Sequence, residues 1–264
     1  MTSKTPTSCA PESERTAALW TESVYRSYEA LLELLPVDSE QWLGGRLIFA
    51  GELQPESSAA DALVTAANIA GAATLVAAPD VLAQRRAMRD ALADFVVNTV
   101  EEALRILKNE VRQRRAVSVA VAVSAVYLME EMLRRGVRPD ALAAPNATPA
   151  HENAQSAFQR EAFLRQGARL LDATKPGHFV TWRQEKCCGS SATPAETAAR
   201  EIATDAARQR WLRLAPRYLG RAAQRAMGVG IRAEEQAAWE AALRRASAFV
   251  GGKRLEASVE VIQA

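Results

Sequence analysis

Two sets of residues in this sequence carry side chains suited to acid–base or ligand chemistry. The first is Gly51 and Glu52, then Ser124, then Asn146, Thr148 and His151. Together they offer an acid, a hydroxyl, an amide and an imidazole, a mixture suited to a small polar ligand. A Glu52 carboxylate facing His151 would raise the imidazole pKa and form an acid/base pair, which makes these two the catalytic candidates. The competing reading is that both side chains point to water and never meet. The second set is Cys187-Cys188-Gly189, with His178 the nearest imidazole. Adjacent cysteines lack the spacing of a zinc knuckle, so two loop thiols are expected there and no metal site.

The first set converges only if the chain builds a parallel sheet. Residues 94–140 read as strand, helix, strand, helix and the start of another strand. Phe95-Val96-Val97 and Val117–Val123 are short β-branched runs. Thr99 stands as an N-cap before Ala103, Leu104, Leu107 and Val111, which fall at helical intervals. Earlier, Leu47–Ala50 and Thr74–Ala78 read as strands around a small-residue helix, Asp61–Ala73. Such alternation predicts an α/β fold, a Rossmann-like parallel sheet of about five strands over residues 40–150, joined by right-handed crossovers. Ligands of such sheets enter at the carboxyl ends of the strands, where strand order reverses. That rule gathers Gly51, Glu52, Ser124, Asn146, Thr148 and His151.

The flanks are read as an N-terminal helix and a helical C-terminal extension. Residues 1–15 read as a disordered tail, 16–36 as an amphipathic helix ended by Pro36, 37–152 as the Rossmann-like domain, and 153–264 as helix-rich with one or two strands. In that last region the expected helices are Asn153–Asp172, Pro194–Met227 broken or bent at Pro216, and Arg232–Ala248. Phe179–Trp182 and Leu255–Ile262 are its expected strands.

Composition narrows the function classes. A formal charge of +2 over 264 residues gives no general field for nucleic acid or an anionic membrane. The clusters Arg112–Arg115 and Arg134-Arg135 fall at helix C-termini, where they complement the helix dipole. No apolar run of membrane-spanning length is present, and Met1–Thr16 lacks the apolar core of a signal peptide. With three cysteines and no disulfide framework, a reducing cytoplasm is expected.

The loop after the first strand argues against a nucleotide. Phosphate cradles bring several glycines close to the pyrophosphate, whereas Gly51 is followed by Glu52-Leu53-Gln54-Pro55-Glu56-Ser57-Ser58. The second strand ends in Ala77-Ala78-Pro79, and Asp80 reads as the N-cap of a helix over Val81–Leu92 rather than a ribose ligand.

The pieces GRLIFAG, ANIAGAATL, ADFVVNTVEEALRIL, VSVAVAV and MLRRGVRPDAL, followed by PNATPAH, resemble the central NAD-binding domain of urocanase (urocanate hydratase). The resemblance covers roughly residues 45–151, and RRGVRPD at 134–140 is its most specific segment. It implies a Rossmann-like fold and, by family alone, NAD as cofactor and a hydro-lyase activity. Family members carry a Gln-Thr-Ser-Ala-His run beside the bound NAD, and the matching stretch here is Asn146–His151. They also place a glycine-dense loop where Glu52–Ser58 stands and a glutamate where this second strand has alanines. Their catalytic cysteine comes from a C-terminal portion whose motif these residues do not show.

Urocanase uses NAD as a bound electrophile, so losing the nucleotide loop would remove the chemistry itself. The expectation is therefore a urocanase-like Rossmann protein without cofactor or hydratase chemistry, acting as a non-catalytic binding or assembly protein. Its partner would be another protein, a further copy of itself or a small polar ligand. The alternative is a lyase/hydratase-like enzyme or a small-molecule-binding domain with an altered strand-edge pocket.

Overall fold

A computed structural model describes residues 12–34, 42–56, 58–144, 154–174, 178–182, 193–249 and 261–262. In chain order its elements are α1 (Glu12–Leu32), β1 (Leu47–Glu52), α2 (Ala59–Ala70), β2 (Ala73–Ala77), α3 (Val81–Arg89) and β3 (Phe95–Val97). Next come α4 (Val100–Arg112), β4 (Val117–Val121), α5 (Ala125–Arg134), β5 (Ala141–Ala143), α6 (Ala154–Arg165) and β6 (Arg169–Leu171). The remainder is β7 (His178–Trp182), α7 (Pro194–Ile202), α8 (Ala206–Leu219), β8 (Met227–Ile231), α9 (Gln236–Phe249) and β9 (Val261–Ile262). Two compact units result: Ser23–Pro176 with Ala203–Tyr218, and Met1–Glu22 with Gly177–Ile202 and Leu219–Ala264.

The larger unit is built on a six-stranded sheet in the order β3-β4-β2-β1-β5-β6, with every pairing parallel. The Rossmann-like expectation holds, with β1 to β5 inside residues 40–150 and β6 added beyond them. β2 and β4 are buried along their whole length, which explains their unbroken apolar sequence: a parallel strand covered on both faces has no solvent side to mark. One face packs Leu47, Phe49, Leu75, Val119 and Val121 against Leu107 of α4, Leu128 and Met132 of α5, and Phe163 of α6.

Local chemistry sets the helix ends. The Asp80 carboxylate accepts from the backbone N–H of Leu82 at 2.6 Å and Ala83 at 3.1 Å, the N-cap role expected of it. Thr99 accepts from Glu102 N–H at 3.2 Å and starts α4. At the end of α2, Gly71 takes a left-handed φ of 90° and its N–H donates to Ala67 O. The Trp42 ring lies directly over this glycine. In the same unit, Tyr25 of α1 meets Trp211 of α8 edge-on at 4.9 Å, and the Tyr28 hydroxyl donates to Ala207 O at 2.9 Å.

The smaller unit holds an antiparallel sheet, β8-β7-β9, in which Trp182 of β7 lies beside Trp239 of α9 with ring centroids 6.2 Å apart. In this unit α7 and α9 are joined by a Glu201–Arg245 ion pair. Among the described residues, no helix is long and apolar enough to cross a membrane.

Several expected elements are corrected. The helix over Asn153–Asp172 ends at Arg165, because Gly167 turns left-handed at φ 94° and the following residues pair with β5 as β6. The long helix Pro194–Met227 is two helices. It breaks near Asp205, whose carboxylate accepts from Arg208 N–H at 2.8 Å, and not at Pro216, which sits inside α8. Met227 opens β8, so the described residues after 152 carry four strands instead of one or two. At the N-terminus, residues 12–15 are helical, with Glu12 and Glu14 in the first turn where the helix dipole favours acids. Of the expected strand Leu255–Ile262, only Val261–Ile262 lies within the described residues.

Candidate crevice at the carboxyl edge of the sheet

The strand order reverses at β1: the chain passes from β1 to β2 on one side, and β5 returns on the other. At this point β1 carries a bulge. Phe49 pairs with Leu75 and Glu52 with Ala77, so β1 spends one more residue than β2 over the same span. Gly51 makes this step with a φ of 87°, a left-handed conformation that side chains resist. Bulges of this kind re-aim the next side chain. Here that side chain is Glu52, whose Oε2 accepts from the Ala125 N–H at 2.9 Å, at the first turn of α5. Its Oε1 faces Gln54 Nε2 at 3.5 Å.

A second carboxylate sits at the start of α2. Asp61 is fully buried, its Oδ2 accepts from Ser58 N–H at 2.7 Å, and its Oδ1 pairs with Arg86 Nη2 at 2.9 Å. The same Arg86 nitrogen donates to Gln54 O at 2.7 Å, tying α3 to the β1–α2 loop. The Ser58 hydroxyl is buried without a partner, so only the Asp61 half of a capping box is made. Each helix that begins beside the end of β1 therefore has a carboxylate from this chain on one N–H of its first turn or cap.

Between β1 and β5 at this edge lies a cavity of about 340 Å³. Its walls are mainly apolar and small: Ala30 of α1, Ala59, Ala60 and Leu63 of α2, Met129 of α5 and Leu142 of β5. The polar groups reaching it are Glu52, Ser27, Ser156 and Arg160, with Thr174 beyond β6. Burial lowers the pKa of the Arg160 guanidinium.

Of the residues singled out in the sequence, Gly51 and Glu52 line this cavity. Ser124 instead caps α5, its hydroxyl accepting from Tyr127 N–H at 3.4 Å. Asn146, Thr148 and His151 lie outside the described residues, as do Cys187 and Cys188. Asp61, Arg86, Ser156 and Arg160 were missed. For Asp61 a signal existed, since Ser58-x-x-Asp61 is a capping-box spacing before an apolar run. Nothing in the local sequence separates Arg86 or Arg160 from any solvated arginine on a helix. Among the described residues, no group of three or more His, Cys, Asp or Glu side chains could hold a metal ion.

No curated protein matches the chain. The family model of the urocanase Rossmann-like domain matches residues 24–187, more than half of the sequence and nearly all of the six-stranded sheet unit. By that match, and by the parallel sheet it predicts, the chain belongs to the urocanase family through its Rossmann-like domain.

Proposed function

We propose that this protein keeps the urocanase Rossmann scaffold without NAD-dependent hydratase chemistry and serves as a non-catalytic binder of a small ligand in the β1/β5 crevice. The observation that carries this reading is the pair of carboxylates, Glu52 on Ala125 N–H and Asp61 on Ser58 N–H. A pyrophosphate on this edge would need helix N-terminal amides as its donors. With a carboxylate already on one N–H at each helix start, an incoming phosphate meets negative charge where it needs donors. The residues present do not fit a dinucleotide at this position. The cavity points the same way, since its 340 Å³ lies at the small end of the range for ligand pockets.

Titration calorimetry of the full chain with NAD tests the proposal, alongside native mass spectrometry of the protein as purified. The expected result is no saturable heat at micromolar NAD and no dinucleotide travelling with the chain. A low-micromolar Kd for NAD overturns it.

A further inference from the structure

We infer that the β1/β5 crevice takes a small monocarboxylic acid with an uncharged apolar body, its carboxylate seated on Arg160 and Ser156. The inference rests on the reading that no dinucleotide fills this space. Three features of the cavity carry it.

The first is the placement of polar groups. Ser156 and Arg160 stand one turn apart on α6, so they share a face, and both line the cavity. Among the described residues that line the cavity, Arg160 is the one cationic side chain. Both residues also hold contacts within the fold. A guanidinium has five N–H donors in a planar fork, so it can serve the fold and a ligand together. Partly withdrawn from water, it gains more from an anion than a solvated arginine does.

The second is the charge the site can compensate. One guanidinium balances one negative charge. A phosphate brings nearly two and would draw on helix-terminal amides, beside which Glu52 and Asp61 already stand, each on one N–H. Glu52 lines the same cavity and adds repulsion that a dianion feels twice over. It stands on β1, whereas Ser156 and Arg160 stand on α6, so the acid and the base enter the cavity from different elements.

The third is size and surface. Given a water's share of about 30 Å³, 340 Å³ holds roughly eleven atoms of that size. Most of the wall facing that space is Ala59, Ala60, Leu63, Met129 and Leu142, which suits an apolar body, and Ser27 and Thr174 are the further hydroxyls in the lining.

The test compares isocaproate, isocaproamide, isoamylamine and inorganic phosphate on the full chain, by saturation-transfer NMR with calorimetric titration. Isocaproate is expected to bind about tenfold more tightly than its amide, the size of one charge-assisted hydrogen bond. The amine and phosphate are expected not to compete with it. Arg160→Gln should weaken isocaproate about tenfold and leave the amide unchanged, and Ser156→Ala should act in the same direction more weakly. Equal binding of acid and amide, preference for the amine or phosphate, or no saturable isocaproate binding would each overturn the inference. The ligand series is read on the unaltered protein, so it decides the question even if Arg160→Gln fails to fold. Tight NAD binding would remove the reading beneath it, whereas silence from both NAD and isocaproate removes this inference alone.

Discussion

Replacing Asp61 with alanine probes the buried carboxylate at the head of α2. The side chain is fully buried, accepts from Ser58 N–H at 2.7 Å and pairs with Arg86 Nη2 at 2.9 Å. Its loss leaves Arg86 as a cation with only 12% of its side chain exposed. Breaking one side of a buried pair costs about 3–5 kcal/mol, because the remaining charge has no compensation. Arg86 keeps its bond to Gln54 O, which places the expected loss near the lower end, at about 3 kcal/mol. Urea unfolding followed by circular dichroism should show the midpoint falling by about 1–2 M with an unchanged slope. The double variant Asp61→Ala/Arg86→Met should recover part of that loss, since the orphaned charge goes with the arginine. A loss below about 1 kcal/mol, or strictly additive effects of the two substitutions, would show that Asp61 is not the electrostatic closure of this loop.

Two further predictions concern the scaffold. Gly71→Ala places a Cβ 2.0 Å from Trp42 Nε1 at a residue with φ 90°, so a melting temperature lower by at least about 5 °C is expected, and an unchanged one refutes the packing. Burial raises the phenol pKa of both Tyr25 and Tyr28 above the ordinary value of 10.0. A raised folded pKa gives stability that is complete below the unfolded value and lost as pH climbs past it. Ultraviolet titration should therefore show these two phenolates only as the fold is lost above pH 10.0, and their early, reversible ionisation would contradict the burial.

The sheet was legible because its strands carry their own signature. Val117–Val121 and Ala73–Ala77 are apolar almost throughout, as strands covered on both faces must be, and Asp80 and Thr99 mark the helices that follow. β6 was hidden for the opposite reason. Arg169 and Leu170 are exposed on an edge strand of three residues, and their sequence reads as easily as the tail of a helix. At the site, the reading that Glu52–Ser58 does not resemble a phosphate loop came from the missing glycines. The buried carboxylate at the head of α2 was not legible as an ion pair, because Asp61 and Arg86 meet across 25 residues and two helices. Arg160 was equally hidden. Whether an arginine on a helix faces water or a crevice depends on β5 and β6 beneath it, not on its neighbours in sequence.

The sheet unit is discontinuous in sequence, and this fixes when it can be finished during synthesis. Residues 23–176 supply every strand of the parallel sheet, yet Ala203–Tyr218 belongs to the same unit and brings the Trp211 ring that covers Tyr25 and Tyr28. A nascent chain that has emerged only as far as β6 has its whole sheet and an uncovered aromatic surface on α1. Chains stalled or cleaved between β6 and α8 would carry that surface into solution, a feature that favours chaperone capture or aggregation over quiet folding. The last residues to complete this unit are thus made after an intervening segment that belongs elsewhere.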